Sequence, residues 1–386
     1  MTDDARTSGA LNRRQLLHVT AAAAMTTMIQ SRSMAADGDT IRIMGVETAA
    51  LEDWAPYTQE TGLKVAFTGI NSDPGVFRQE VVANSAGDSV DIFLMDGGIE
   101  DELGPKGFFM PIDGSKIDGW SSIPENMRMS PLLMAGDTLY GIPAVLNADS
   151  FAYDRTVFDD KEPLSFALLF ESDATKGKVG LENTWLTTLP MAANYLKVAK
   201  GAAIADPANM SPEEAKAVVD FLIERKKAGQ FRALWSSFDE SVDMMARKEA
   251  IVSNVWEPAV KALQKKGMKI GYAITREGYN KWLIGAFVPK QVKDRGTEAL
   301  VYKALAGLLG GAYSAQIAIL RGYATGHPEL GLAYAKAHNL PADQIAAIEA
   351  NIVKVEKKFA APLFWQNAAP THVTEIEAEW ERFRQA

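Results

Sequence analysis

Few residues of this sequence have types and spacing that suit catalysis. The chain has no cysteine, which excludes thiolate nucleophiles, iron–sulfur clusters and cysteine-ligated zinc. Neither a Gly-x-Ser-x-Gly nucleophile elbow nor a Gly-x-Gly-x-x-Gly phosphate loop occurs. The four histidines are scattered: His18, His327, His338 and His372. The sequence therefore predicts a protein that is not an enzyme and that needs no metal and no cofactor.

Polar residues follow two strand-like segments near the start of the chain. Glu47 comes directly after Thr40–Val46, and Asp96 ends the segment that starts at residue 89. Helix-like segments alternate with these strands, which predicts an α/β unit with a largely parallel sheet. Because ligands of such sheets bind beyond the carboxyl ends of the strands, we expect Glu47 and Asp96 at a binding site. The N–H groups of Gly97 and Gly98 are candidates for holding a carboxylate or phosphonate, unless the two glycines only satisfy a tight turn.

A second α/β lobe is predicted from the later part of the chain. About 350 residues follow the first 35, which is more than one hydrophobic core usually supports. Residues 139–153 form a long extended run that can leave one lobe and enter another. Beyond it, the strand-like residues 250–256 follow the helix-like segments 211–229 and 240–247.

The first 35 residues have the features of an export signal. Arg13 and Arg14 precede the short apolar stretch 16–25, and Ser33 and Ala35 flank a small-residue cleavage site. The arginine pair is typical of the twin-arginine route; the general secretory route and a chance arginine pair are the alternatives. No later segment reaches the roughly 18 consecutive apolar residues of a transmembrane helix. We therefore expect the mature chain in the periplasm.

The charge balance is acidic. The full chain carries −9, and residues 1–35 contribute four arginines against two aspartates. Without this +2 the mature chain would carry about −11, which argues against nucleic acid or an anionic membrane as a partner. A cationic or zwitterionic small ligand suits this sign, although ordinary solubility accounts for it equally well.

Short motifs occur in a recognisable order along residues 39–386. They include Glu60-Thr61-Gly62-Leu63-Lys64-Val65, Val90-Asp91-Ile92-Phe93, Tyr140-Gly141-Ile142-Pro143, Val255-Trp256-Glu257, Gly322-Tyr323-Ala324-Thr325 and Trp365-Gln366-Asn367. The series resembles the periplasmic polyamine-binding proteins, the spermidine/putrescine-binding-like members of family 1 of the solute-binding proteins of ABC importers.

The resemblance implies a fold, a partner and a mode of action. The fold is the type II periplasmic binding protein fold, in which two α/β lobes close on a ligand in the cleft between them. Residues 39–147 plus 284–330 would form one lobe, and residues 148–283 plus 331–386 the other. Two strands would cross between the lobes near residues 144–151 and 282–288. The implied function is that of a monomer that carries a small amine-containing solute to a permease in the inner membrane.

The resemblance also implies which residues contact the ligand. In polyamine binders, aromatic rings line the aliphatic chain and carboxylates pair with the ammonium groups, because a desolvated cation is stabilised by both. Trp256 and Trp282 match two aromatic positions of the family, and Gln366 matches a polar one. The candidate ligand-binding residues are Glu47, Asp96, Gly97, Glu182, Trp185, Trp256, Glu257, Trp282 and Gln366.

The sequence departs from the family pattern in ways that widen the choice of ligand. Two aromatic positions are lost near Glu47 and Asp96, and Ile284 replaces an aspartate, so one end of the diamine-binding machinery is missing. A shorter ligand with one amine and a polar or anionic tail fits as well: an amino acid derivative, an opine or an amino-phosphonate. Ferric binding is disfavoured because no Tyr-Tyr pair occurs. An exported enzyme and a module that presents its ligand to a receptor are the rival readings.

Overall fold

The computed structural model describes residues 39–159, 162–361 and 363–386. The export signal predicted at residues 1–35 lies outside these ranges. Residues Asp39–Ala386 form one compact unit.

The strands form two mixed sheets and a small hairpin. They are β1 (Thr40–Val46), β2 (Lys64–Ile70), β3 (Ile92–Asp96), β4 (Met134–Ala135), β5 (Thr138–Leu139), β6 (Gly141–Asp149), β7 (Ala152–Asp154), β8 (Val179–Glu182), β9 (Phe231–Trp235), β10 (Val252–Ser253), β11 (Ile270–Tyr272), β12 (Tyr279–Phe287) and β13 (Leu363–Trp365). The first sheet has the order β13-β12-β3-β1-β2, with β6 also paired to β12. The second has the order β11-β7-β10-β8-β9, and β4 pairs with β5.

Helices cover the sheets. They are α1 (Ala55–Thr61), α2 (Pro74–Arg78), α3 (Ile99–Leu103), α4 (Glu125–Arg128), α5 (Ala167–Phe170), α6 (Trp185–Lys200), α7 (Pro212–Lys227), α8 (Phe238–Ala246), α9 (Glu257–Lys265), α10 (Gln291–Asp294), α11 (Glu298–Leu308), α12 (Gly311–Arg321), α13 (Pro328–Ala337), α14 (Ala342–Ala360) and α15 (Val373–Gln385). Within the described residues, no single helix is long and apolar enough to cross a membrane; α11 and α12 meet that test only as a pair, across a 48° bend.

Side chains alternate between the two faces of the first sheet, and both faces are covered. On β3, Ile92 and Leu94 pack into one buried cluster with Tyr57 of α1, while Phe93 and Met95 pack into another on the opposite face. This alternation follows from the period of two in a β-strand. The result is a layer of helices on each side of the sheet, as a parallel α/β arrangement requires.

Two long strands cross between the sheets. β6 and β12 are each nine residues long and buried throughout, and they pair antiparallel from Gly141 opposite Phe287 to Asp149 opposite Asn280. After β6 the chain enters the second sheet at β7, and it leaves that sheet at β11 before it returns through β12. The predicted α/β architecture with two crossing strands is therefore confirmed.

The position of the last helices changes where we place the lobe boundary. Helices α13 and α14 pack on α12 through a cluster that joins Ala315 and Ala318 to Ala335 and Ile348. Helix α15 instead packs on α6 and α7 of the other lobe. We propose that residues 328–360 belong with the first lobe and that the chain approaches the second lobe only from β13 onward. The sequence suggested instead that all residues after 330 belong to the second lobe.

Candidate ligand-binding site

A cleft of about 380 Å³ lies where the carboxyl ends of strands from both sheets meet. Asp96 is the last residue of β3, Glu182 of β8 and Trp235 of β9, and each lines the cleft. Asp149, the last residue of the crossing strand β6, also lines the cleft. This is the location at which α/β sheets bind ligands, because the connecting loops leave a crevice there.

Three acidic side chains in the cleft resist ionisation. Burial raises the pKa of Asp96 to about 7 and that of Glu182 to about 8, and the charge of Asp149 raises both further. Burial also raises the pKa of Asp149 to about 7, although Lys358 and the Trp282 indole oppose the shift. Desolvation disfavours a charged carboxylate, and three acids close together disfavour it again. A cation in the cleft would supply the missing counter-charge.

The three acids differ in how they are held. Asp149 accepts hydrogen bonds from Trp282 Nε1 at 2.7 Å and from the Tyr272 hydroxyl at 3.2 Å. Glu182 accepts one, from Thr187 Oγ1 at 2.6 Å. Asp149 therefore has most of its partners inside the protein, whereas Asp96 and Glu182 retain acceptor capacity for a ligand.

Aromatic rings form part of the cleft wall from both lobes. Trp256 meets Trp235 edge to face, with ring centroids 5.3 Å apart, and Trp282 meets Tyr323 in the same way at 5.0 Å. All four residues line the cleft. Edge-to-face pairs fix the ring planes, and a fixed ring plane can contact an aliphatic chain or a cation.

Neutral polar groups complete the lining. The Gln366 side-chain oxygen accepts from Asn280 Nδ2 at 2.9 Å, which leaves the Gln366 NH₂ group to donate to a ligand. Asn183 donates to Ser236 Oγ at 3.0 Å, and its own side-chain oxygen is buried without a protein partner. Among the described residues that line the cleft, none is lysine, arginine or histidine. The site is thus acidic and aromatic, with a few neutral donors and acceptors.

The family follows from a comparison with known proteins. The family model described as "bacterial extracellular solute-binding protein" matches residues 54–325, which is more than half of the chain. The chain belongs to this family. Its members bind solutes and do not transform them, so the predicted family and the predicted absence of enzymatic activity are both confirmed.

Solved structures share the fold of this solute-binding protein at low identity. The spermidine/putrescine ABC transporter substrate-binding protein PotD from Streptococcus pneumoniae is 18% identical, with a TM-score of 0.67 over 90% of this chain and 99% of that one. The Atu4243-GABA receptor is 18% identical, with a TM-score of 0.64 over 89% and 97%. The PBP MotA from A. tumefaciens B6, in complex with glucopine, is 16% identical, with a TM-score of 0.61 over 89% and 99%. These likenesses show the type II binding-protein fold.

The cleft of this solute-binding protein contains five of the nine residues that the sequence suggested. They are Asp96, Glu182, Trp256, Trp282 and Gln366. Ile284, which stands where the resemblance to polyamine binders implies an aspartate, also lines the cleft. The position at which that carboxylate would be missing therefore lies in the cleft itself.

The two other acids among the nine lie elsewhere. Glu47 is on the surface with 89% of its side chain exposed, and its neighbour Thr48 lines the cleft instead. Glu257 is buried behind the cleft, where it pairs with Lys354 and Lys358. Neither carboxylate is placed to contact a ligand in the cleft.

Gly97 and Trp185 also lie outside the cleft lining. The Gly97 N–H donates to Leu283 O and the Gly98 N–H to Glu100 Oε2, so both donors proposed for an anion are already in use. A Cβ on Gly97 would lie 2.5 Å from Leu132 O, so close packing accounts for this glycine. Trp185 packs into the buried cluster of the second lobe.

Asp149 and Tyr323 line the cleft, although neither is among the ligand-binding residues that the sequence suggested. Asp149 ends β6 within the extended run 139–153, which the sequence indicated only as a crossing between lobes. Its position at the carboxyl end of a strand was the available signal. Tyr323 lies just beyond Gly322, the residue that ends α12, and nothing in the local sequence marks it as a cleft residue.

Replacement of Trp256 and Trp282 is expected to change ligand affinity more than the stability of the fold. Trp256 is half-buried, so Trp256→Ala is expected to weaken ligand binding roughly tenfold with a small loss of stability, because it removes mainly a ring face. Trp282→Phe keeps an aromatic ring but removes the donor to Asp149, and should also weaken binding. Calorimetric titration and thermal unfolding of the same samples measure both effects. Unchanged affinity in both variants would show that the tryptophans do not contact the ligand.

Proposed function

We propose that this protein is the substrate-binding component of an ABC importer and that its cleft captures a small amine-containing solute. The solute would be handed to a permease in the inner membrane, after export of the protein to the periplasm. The observation that carries the proposal is the set of three acids, the half-buried Asp96 and the buried Asp149 and Glu182, in a cleft whose described lining has no basic side chain.

The electrostatics favour a cation. An isolated buried carboxylate is costly unless it is protonated or paired, and these acids have no lysine or arginine within the cleft. An ammonium group provides charge-assisted hydrogen bonds to the free acceptors of Asp96 and Glu182, which come from different lobes. A ligand that contacts both would favour closure, since it binds the closed arrangement better than the open one.

Two classes of solute are candidates, and they differ in the chemical groups that accompany the amine. A polyamine-like solute is supported by the number of acids and by the aromatic walls. An amino acid derivative or opine is supported by the Gln366 NH₂ group and by Ile284, which leave part of the cleft suited to a neutral or anionic tail. Proteins with this fold include a spermidine/putrescine ABC transporter substrate-binding protein, a GABA receptor and MotA in complex with glucopine. They support both kinds of ligand as candidates.

A matched series of four-carbon compounds tests the proposal. Putrescine carries two ammonium groups, GABA one ammonium and one carboxylate, and succinate two carboxylates. Thermal shift measurements should show stabilisation by putrescine or GABA, because a ligand that binds only the folded state raises the unfolding midpoint. Stabilisation by succinate alone would contradict the proposal. A response to putrescine but not GABA would favour the polyamine, and the reverse the amino acid derivative.

A further inference from the structure

Glu257 differs from the cleft acids because it is fully paired. It begins α9, with 10% of its side chain exposed. Its Oε1 accepts from Lys354 Nζ at 2.5 Å and its Oε2 from Lys358 Nζ at 3.2 Å. Burial opposes ionisation, but the charges of Lys358 and Lys354 outweigh it and lower the pKa of Glu257 to about 2. We call Glu257, Lys354 and Lys358 the rear ion cluster.

The rear ion cluster joins elements of different lobes. Helix α9 packs on the second sheet, where Ala259, Val260 and Leu263 lie in the same buried cluster as Ile270 of β11. Helix α14, which carries both lysines, packs on α12 and α13 of the first lobe. Lys354 also donates to Gly322 O, just beyond α12, at 2.9 Å. The ion pairs therefore hold the two lobes together on the side away from the ligand.

The cluster lies directly beside the crossing strand β6. Lys358 Nζ donates to Ala148 O at 2.9 Å and to Asn147 Oδ1 at 3.3 Å. It also lies 4.8 Å from the centre of the Tyr272 ring, whose hydroxyl donates to the cleft residue Asp149. A rotation of the lobes about the crossing strands would thus change the distance between α9 and α14.

Around the cluster, the same two lobes are separated by an open groove. This groove of about 890 Å³ has residues near β11 and β12, such as Ile274 and Tyr279, on one side and α14 residues, such as Val353 and Lys357, on the other. Ile274 is 64% exposed and Val353 49%, so the groove does not bury them against each other. The ion pairs and the contact of Lys358 with the Tyr272 ring therefore link α14 to the second lobe beside this groove.

We propose that Glu257 is a positioning residue that sets the fraction of molecules with a closed cleft from behind the crossing strands, without contacting the solute. In the arrangement seen here the rear ion cluster is intact. Because the cluster lies behind the crossing strands, closure of the cleft about those strands moves α9 away from α14 and breaks the ion pairs, which is unfavourable. The cluster thereby stabilises this arrangement of the lobes over more closed ones. The inference holds for any solute class, so it does not depend on the proposed amine ligand.

The absence of cysteine allows a direct measurement of the distance between the lobes. One cysteine at Val76 and one at Asp239 place spin labels at exposed positions close to the cleft lining of the first and second lobes. Pulsed electron resonance on the full mature chain without added solute then gives the distribution of distances between the labels. Glu257→Gln should raise the short-distance population about tenfold, because Lys354 and the buried Lys358 then lack their counter-charge at the contact and are better hydrated when α9 and α14 separate. Lys354→Gln keeps one ion pair and should give a smaller change in the same direction, which covers the case in which Glu257→Gln does not fold.

The chain offers a matched control within one lobe. Asp91 is also a buried acid between two cations, with Arg42 Nη2 at 2.7 Å and Arg295 Nη2 at 2.8 Å, but all three belong to the first lobe. Asp91→Asn should lower the unfolding temperature without changing the distance distribution. The proposal is overturned if Glu257→Gln and Lys354→Gln leave the distribution unchanged or lower the short-distance population, or if Asp91→Asn shifts the distribution as much as Glu257→Gln.

Discussion

The double variant Asp96→Asn/Glu182→Gln is expected to lose binding of an amine probe such as putrescine or GABA while gaining stability in the absence of solute. The two carboxylates are the cleft acids with free acceptor capacity. A hydrogen bond to a charged group contributes roughly 1.5–3 kcal/mol, so the loss of two should raise the dissociation constant at least about a hundredfold. Calorimetric titration of the variant and the parent measures this change.

The gain in stability follows from the direction of the pKa shifts. In the folded protein the pKa values of Asp96 and Glu182 are raised to about 7 and about 8 by burial. Between the ordinary carboxyl range and these values the folded state binds more protons than the unfolded state, so the parent loses stability as pH rises through this window. Amides do not ionise and should remove that loss. The variant should therefore unfold at a higher temperature than the parent at pH 8.5, with little difference at pH 4.

Glu47→Gln is the control for this experiment. Glu47 was a candidate on the same grounds as Asp96, but its side chain is on the surface. Its replacement should change neither the affinity nor the pH dependence of stability. A double variant that binds normally, or a Glu47 variant that does not, would show that the acids of the cleft have been misassigned.

Affinity for an amine should fall steeply as the solution is acidified from pH 8 to pH 6. The ligand-free cleft holds protons on its acids in this range, since their pKa values lie near 7 and 8. A bound ammonium group favours the ionised carboxylates, so binding releases protons and is weakened when protons are plentiful. Each carboxyl that must ionise contributes up to about a tenfold change in affinity per pH unit.

Calorimetry in two buffers of different ionisation enthalpy counts the released protons. At pH 6.5 the apparent binding enthalpy should differ between the buffers in the sense of proton release, and the difference should shrink towards pH 9. The Asp96→Asn/Glu182→Gln variant should release fewer protons per bound ligand. Proton uptake on binding, or an affinity that is flat between pH 6 and pH 8, would argue for a ligand that does not pair with these acids.

The sequence predicted the architecture because the periodic features that determine it are local. Helix α1 is followed by Gly62, which adopts the left-handed conformation with a φ of 69°, as expected for a glycine at the end of a helix. Helix α7 starts at a full capping box formed by Ser211 and Glu214, within the segment predicted as a helix. Asp96 and Glu182 reached the cleft because each ends a strand of a parallel α/β arrangement.

Whether the other candidate residues face the cleft depends on the direction of each side chain, which the local sequence does not specify. Glu47 and Thr48 lie in a short 3-10 turn after β1, where neighbouring residues differ in direction by about 120°, so one faces the cleft and the other the solvent. Trp185 follows the cap residue of α6 and turns into the core, while Leu186 and Thr187 line the cleft. The role of Glu257 depends on Lys354 and Lys358, about a hundred residues later, and no local pattern relates them.

Calorimetric titration with an amine and its acetylated form tests most directly whether the cleft recognises an ammonium group. GABA is compared with N-acetyl-GABA, and putrescine with N,N′-diacetylputrescine, because acetylation removes the positive charge and leaves the carbon chain in place. We predict that at least one free amine binds with a one-to-one stoichiometry and that its acetylated form binds at least about a hundredfold more weakly. Equal affinity for the free and acetylated forms, or binding of neither amine, would contradict the account of an acidic, amine-binding cleft.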